Sequence, residues 1–85
     1  MKKIEIFTTT ICPYCHAAKR LLDRKGAAYT EIDVGGDPVA RAAMTLRAGG
    51  KRTVPQIFIG SAHVGGCDDL YALDHAGTLD PLLAG

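Results

Sequence analysis

Apolar and polar positions fall in short blocks along the chain, and each block reads as one element. Lys3-Ile4-Glu5-Ile6-Phe7-Thr8 is a run of β-favouring residues and predicts a strand. Tyr14, Ala17, Ala18, Leu21 and Leu22 then recur at i, i+3, i+4, i+7 and i+8, the apolar stripe of an amphipathic helix. Pro13 suits its first turn and Gly26 its left-handed end. Thr30-Glu31-Ile32-Asp33-Val34 alternates and predicts a second strand. Asp37-Pro38 opens a second helix, Asp as cap and Pro at the first position, with Val39, Ala43 and Leu46 as its buried stripe and Gly49-Gly50 at its end. Gln56-Ile57-Phe58-Ile59 and Ala62-His63-Val64 flank Gly60-Ser61, the pattern of a hairpin with a type II′ turn. A further helix is expected from about Asp68 to Ala76, stopped by Gly77, and Thr78 is placed to cap a last short turn through Leu83.

The order β-α-β-α-β-β-α is that of an α/β chain. The first βαβ unit is expected to be parallel with a right-handed crossover and the closing hairpin antiparallel. The result is a mixed four-stranded sheet with helices on both faces. At 85 residues the chain is expected to form a single domain, 1–85.

Composition narrows the function. Ten basic against nine acidic residues leave a net charge of +1, which speaks against binding nucleic acid or a membrane surface by bulk charge. No stretch approaches the ~18 apolar residues of a membrane helix. Met1-Lys2-Lys3 leads into a run too short for a signal peptide, so the cytoplasm is the expected setting. A small secreted scaffold would carry an even, denser set of cysteines than Cys12, Cys15 and Cys67. A lone C-x-x-C in a reducing compartment points to redox chemistry or metal binding.

Cys12 follows a strand and sits where a helix begins. Free N–H groups and the helix dipole favour an anion there, so the thiolate gains over the thiol. Cys15 lies one turn on, which brings its sulfur back toward the first. A free thiol of pKa ~8.5 is only about 3% ionised at neutral pH, so a fall to ~5 raises the thiolate fraction roughly 30-fold. Nucleophilicity drops roughly 25- to 55-fold over the same interval, at a Brønsted slope of ~0.4–0.5, so attack comes out near even. The clear gain is as a leaving group: a stabilised Cys12 thiolate departs readily from a mixed disulfide. A metal reading competes on spacing, because Cys12, Cys15, His63 and Cys67 make C-x2-C…H-x3-C, a legal zinc set. Zinc pairs usually sit on tight knuckles, however, and this pair opens a well-patterned helix.

Cys12-Pro13-Tyr14-Cys15, Thr53-Val54-Pro55 and Gly65-Gly66-Cys67-Asp68-Asp69 occur in order at successive element junctions. Together they closely resemble a dithiol glutaredoxin of the small bacterial type, over nearly the whole chain. The resemblance implies a thioredoxin-like fold and glutathione as reductant and co-substrate, with no metal. It implies that Cys12 attacks protein–glutathione mixed disulfides and that Cys15 resolves protein disulfides. On this resemblance Thr53 and Val54 are expected to bracket the glutathione backbone, and Pro55 is expected to follow a cis bond. The resemblance also implies that Gly66 and the N–H groups of Cys67 and Asp68 receive the γ-glutamyl carboxylate, that the Asp68 carboxylate pairs the nearby ammonium, and that Tyr14 lines the groove. Implied partners are glutathione, glutathionylated proteins and disulfide proteins, with ribonucleotide reductase a family-level member of the last class, met by a monomer. One position departs from the pattern: many relatives carry Lys where Thr9 stands. Arg41, Lys51 and Arg52 are candidates to supply the missing cation to the glycyl carboxylate. Some relatives hold a [2Fe–2S] cluster between protomers, a state that Pro13 is expected to disfavour.

The remaining chemistry-bearing residues read more plainly. His16 and His63 are expected on solvated faces, and His75 near a helix end. Cys67 reads as a small packed side chain or a regulatory thiol. Lys19, Arg20, Arg24 and Lys25 read as a solvated basic face.

Overall fold

The computed structural model of the chain describes residues 2–85; Met1, the start of the charged run noted above, lies outside the described residues. The elements are β1 (Ile4–Thr8), α1 (Pro13–Arg24), β2 (Thr30–Asp33), α2 (Pro38–Arg47), β3 (Gln56–Ile59), β4 (Ala62–Gly65), α3 (Cys67–His75) and α4 (Leu79–Ala84). The strands lie in the order β2-β1-β3-β4. β1 runs parallel to β2 and antiparallel to β3, and β4 returns antiparallel along β3. This is the expected mixed sheet. Gly60 takes φ +60° and Ser61 stays out of the positive region, as a type II′ turn requires.

Two apolar layers sandwich the sheet. On one face Ile4, Ile6, Ile57 and Ile59 pack against Ala18, Leu21 and Leu22 of α1 and against Leu70, Leu79 and Leu83 of α3 and α4. The Tyr71 hydroxyl donates to the Ala17 carbonyl at 3.1 Å and ties α3 to α1. On the other face Phe7, Val34 and Phe58 meet Met44 and Ala48 of α2. Arg47 closes this layer with its guanidinium carbon 4.1 Å from the Phe58 ring centre, while Nη2 pairs with Glu5 at 3.1 Å. No helix among the described residues is long and apolar enough to cross a membrane.

Four details differ from the sequence reading. Helix α2 is turned by one residue: Val39, Ala43 and Leu46 face solvent, with Val39 80% and Leu46 84% exposed, and Ala40, Met44 and Ala48 face the sheet. The small Ala40 and Ala48 let the helix approach the sheet closely around one long Met44, a fit that the bulkier Val39 and Leu46 would prevent. Tyr14 leaves the stripe of α1 and is 65% exposed, its inward place taken by the fully buried Cys15. Thr78 stands at the start of α4, yet its hydroxyl donates backward to the Leu73 carbonyl at 3.1 Å, so it does not cap with its side chain. The basic face of α1 is partly paired: Lys19 meets Glu31 at 3.0 Å, and Lys25 bridges Asp74 at 2.6 Å and Asp80 at 3.0 Å, contacts that raise the Lys25 pKa.

Candidate active site

The ends of β1, α1, α3 and the segment before β3 converge on one edge of the molecule. Cys12 is the N-cap of α1, with extended backbone and Pro13 as the first helical residue. Its sulfur accepts the Cys15 N–H at 3.1 Å, satisfying one of the amides that a helix start leaves free. Cys12 and Cys15 are joined as a disulfide, with Cα atoms 5.2 Å apart. Cys15 is fully enclosed, and Cys12 retains a sliver of exposure. Cys12 is the more accessible residue of the pair.

Beside the disulfide runs a groove of about 190 Å³. Tyr14, Thr53, Val54 and Pro55 form one side, and Gly66, Cys67 and Asp68 the other. The Val54–Pro55 bond is cis, and the Val54 carbonyl oxygen lies 3.9 Å from the Cys12 sulfur. Eight of the ten residues singled out from sequence besides the cysteine pair thus line a single groove. Arg41 and Arg52 do not: both border a separate depression along α2, where Arg41 Nη2 donates to the Arg52 carbonyl at 2.9 Å. Lys51 is the cation that lines the groove itself.

Asp69, the last residue of the Gly65–Asp69 run that carries the resemblance and one to which no separate role was assigned, also lines the groove. Its carboxylate accepts the Gly66 N–H at 2.9 Å, one half of a capping box. That box leaves no room at Gly65, whose φ is +113° and where an added Cβ would run into the Asp69 carboxylate. The signal was present as an acid three residues into a helix that follows two glycines. Cys67 sits in the first turn of α3, buried; that burial pushes its thiol pKa up, with the Asp68 charge adding and Arg20 opposing. A smaller fraction of it is thiolate at neutral pH. His63 points away from the cysteines: its ring stacks on Phe58 at 4.8 Å and its Nε2 lies 2.7 Å from Gln56 Oε1. The four-ligand zinc arrangement is therefore not assembled, and no group of three or more His, Cys, Asp or Glu among the described residues could hold a metal ion.

A family model described as glutaredoxin matches residues 4–64, most of the chain. The chain belongs to the glutaredoxin family. It is 59% identical over 81 residues to a probable glutaredoxin of Synechocystis sp., covering 95% of this chain and 92% of that one. It is 54% identical over 83 residues to glutaredoxin 3 of Escherichia coli strain K12, covering 98% and 99%. Among solved structures, a buckwheat glutaredoxin–glutathione complex superposes with a TM-score of 0.87 at 37% identity, over 95% of this chain and 76% of that one. The solution structure of a Brucella melitensis glutaredoxin gives 0.86 at 58% identity, over 98% and 89%. This glutaredoxin is a glutathione-dependent thiol–disulfide oxidoreductase with the thioredoxin-like fold, a redox-active cysteine pair, and glutathione as co-substrate.

Proposed function

We propose that Cys12 is the nucleophile and Cys15 the resolving thiol, and that glutathione lies in the groove between Thr53–Pro55 and the start of α3. The observation that carries this is the adjacency of an amide-capped sulfur and a backbone carbonyl at the mouth of that groove. In deglutathionylation the Cys12 thiolate attacks the glutathione sulfur of a protein mixed disulfide, and the protein thiolate leaves and takes up a proton. A second glutathione thiolate then attacks the bound glutathione sulfur, giving oxidised glutathione and regenerating the Cys12 thiolate. With a protein disulfide, Cys12 forms the mixed disulfide and the Cys15 thiolate attacks the Cys12 sulfur. The reduced target leaves and a Cys12–Cys15 bridge remains, which two glutathiones reduce.

In this reading the Val54 backbone pairs with the cysteinyl part of glutathione in strand fashion. The Gly66, Cys67 and Asp68 end of α3 receives the γ-glutamyl carboxylate, since free N–H groups at a helix start welcome an anion. Asp68 pairs the γ-glutamyl ammonium, Tyr14 covers the ligand, and Lys51 meets the glycyl carboxylate in preference to Arg41 and Arg52. Residues 1–85 act as one domain and as a monomer, in the cytoplasm. Glutathionylated and disulfide proteins are the macromolecular substrates, ribonucleotide reductase among the disulfide class.

The test is turnover of a small glutathione mixed disulfide and of a protein disulfide, each with glutathione and glutathione reductase. Cys12→Ser abolishes both activities; Cys15→Ser retains the first and loses the second. Equal loss of both in the Cys15 variant would overturn the assigned roles.

A further inference from the structure

We propose that Gln56 and His63 are positioning residues that fix Thr53 as a hydrogen-bond donor toward the groove. The proposal rests on the reading that glutathione binds along Thr53.

The Thr53 backbone carbonyl can only accept, and the nearest Gln56 side-chain atom is 3.0 Å away. That atom must be the amide nitrogen, which fixes the orientation of the whole amide. The same nitrogen reaches the Thr53 hydroxyl oxygen at 3.2 Å. Gln56 Oε1 then faces the other way, 2.7 Å from His63 Nε2. A carbonyl oxygen cannot donate, so His63 Nε2 carries the hydrogen and, in the neutral ring, Nδ1 does not. Stacking on Phe58, with the ring planes 24° apart, holds the imidazole in that direction. Gln56 is 1% exposed, so water does not compete for its amide, and a mispaired arrangement would leave buried polar atoms unsatisfied.

The outcome is a polarised line: His63 N–H to Gln56 carbonyl, Gln56 N–H to Thr53 oxygen, Thr53 O–H outward. Gln56, the middle member, is buried and passes the polarisation between Thr53 and His63, which are both exposed. With one of its two lone pairs engaged by Gln56, the Thr53 hydroxyl is biased to present its hydrogen to whatever occupies the groove, and the ligand atom that suits it best is a carbonyl or carboxylate oxygen. A tripeptide with two carboxylates meets that requirement. The exposed end of the line, His63, lies on β4 and touches no part of the groove, since the groove lining passes from Thr53 to the α3 start without it.

Kinetics and ring NMR together test this. In wild-type protein, long-range nitrogen–proton spectra of the neutral His63 ring show the Nε2–H tautomer. His63→Phe keeps a stacked ring and deletes the donor; it raises KM for glutathione about three- to tenfold with kcat unchanged, a loss of the size of one hydrogen bond. His63→Gln, which keeps an N–H at similar reach, restores KM to within about twofold, and Thr53→Val raises KM at least as much as His63→Phe. An Nδ1–H tautomer overturns the proposal. So does an unchanged KM in His63→Phe while Thr53→Val and Asp68→Asn raise theirs. If Thr53→Val and Asp68→Asn also leave KM unchanged, the glutathione groove itself is misplaced and the proposal falls with it.

Discussion

The backbone N–H of Cys15 points at the sulfur of Cys12, 3.1 Å away, while Cys67 lies buried across the groove with its thiol pKa pushed up. The first arrangement favours an anionic sulfur and the second disfavours one. Reduced protein treated with a limiting amount of iodoacetamide at about pH 6 is therefore expected to lose Cys12 first, with Cys67 modified more slowly. Peptide mass mapping over time gives the order; modification of Cys67 ahead of Cys12 would contradict the electrostatic argument.

Asp69 holds the Gly66 amide and fills the space above Gly65, so the helix start that frames the groove depends on one carboxylate and one missing Cβ. Asp69→Ala is expected to lower stability by about 1 kcal/mol, the usual worth of a cap, or roughly 4–8 °C in Tm. Gly65→Ala adds a clash with Asp69 to a positive φ and is expected to cost more than the cap alone. Thermal melts of the two single variants and the double variant separate the effects. In the double variant the clash disappears but the backbone strain stays, so its loss is smaller than the sum.

Helix α2 shows where pattern reading ends. The strands, the hairpin turn and the start of α1 follow from short-range rules that act on neighbouring residues, and Cys12, Thr53–Pro55 and Gly66–Asp68 meet because those rules place each at an element end. The inward face of α2 depends instead on fit against a sheet not adjacent in sequence. Val39, Ala43 and Leu46 make a plausible stripe on hydrophobicity alone, and the sheet selects Ala40, Met44 and Ala48 by volume. The same limit explains Arg41, Arg52 and Gln56. Their residue types signalled a charge or a strand, and only three-dimensional packing decided which depression or which partner each one meets. Met44→Ala is expected to destabilise by about 2–5 kcal/mol and Leu46→Ala by less than about 0.5 kcal/mol. Urea unfolding of the two variants checks this; comparable losses would return α2 to the orientation expected from hydrophobicity.

Glu31 joins the sheet edge to α1. The Thr8 hydroxyl donates to its carboxylate at 2.7 Å and Lys19 pairs with it at 3.0 Å, and these contacts hold its pKa below the usual carboxylate range against a smaller opposing effect of burial. A carboxyl lowered in the folded state stabilises the fold above its unfolded pKa, and that contribution vanishes as pH falls through the folded value. Thr8→Val removes the leading contact with little change of shape. It is expected to lower stability by about 1 kcal/mol at neutral pH, with the deficit shrinking below about pH 4 as Glu31 protonates in both proteins. Tm measured against pH for wild type and variant gives the comparison; a deficit that stays constant into acid would assign the loss to packing around buried Thr8 and not to the carboxylate.

Thr9 stands where many relatives carry Lys, and Lys51 is the cation that lines the groove. Thr9 cannot supply charge to the glycyl carboxylate, and Arg41 is held by the Arg52 carbonyl beside a different depression. Lys51 lines the groove itself, and an ammonium on a flexible stem can follow a carboxylate without a fixed geometry. Lys51→Ala is expected to raise KM for glutathione about three- to tenfold and to reduce the dependence of KM on salt, since an exposed ion pair is screened over a Debye length of about 8 Å at physiological ionic strength. Arg41→Ala is expected to raise it less. KM titrations at low and high salt for both variants decide between the cations: a larger, salt-sensitive effect in Arg41→Ala would move the carboxylate to the α2 side. Thr9→Lys in the Lys51→Ala background then tests the electrostatic origin directly, because a charge restored from the β1 side recovers KM only if position, and not the identity of the element carrying it, is what the ligand requires.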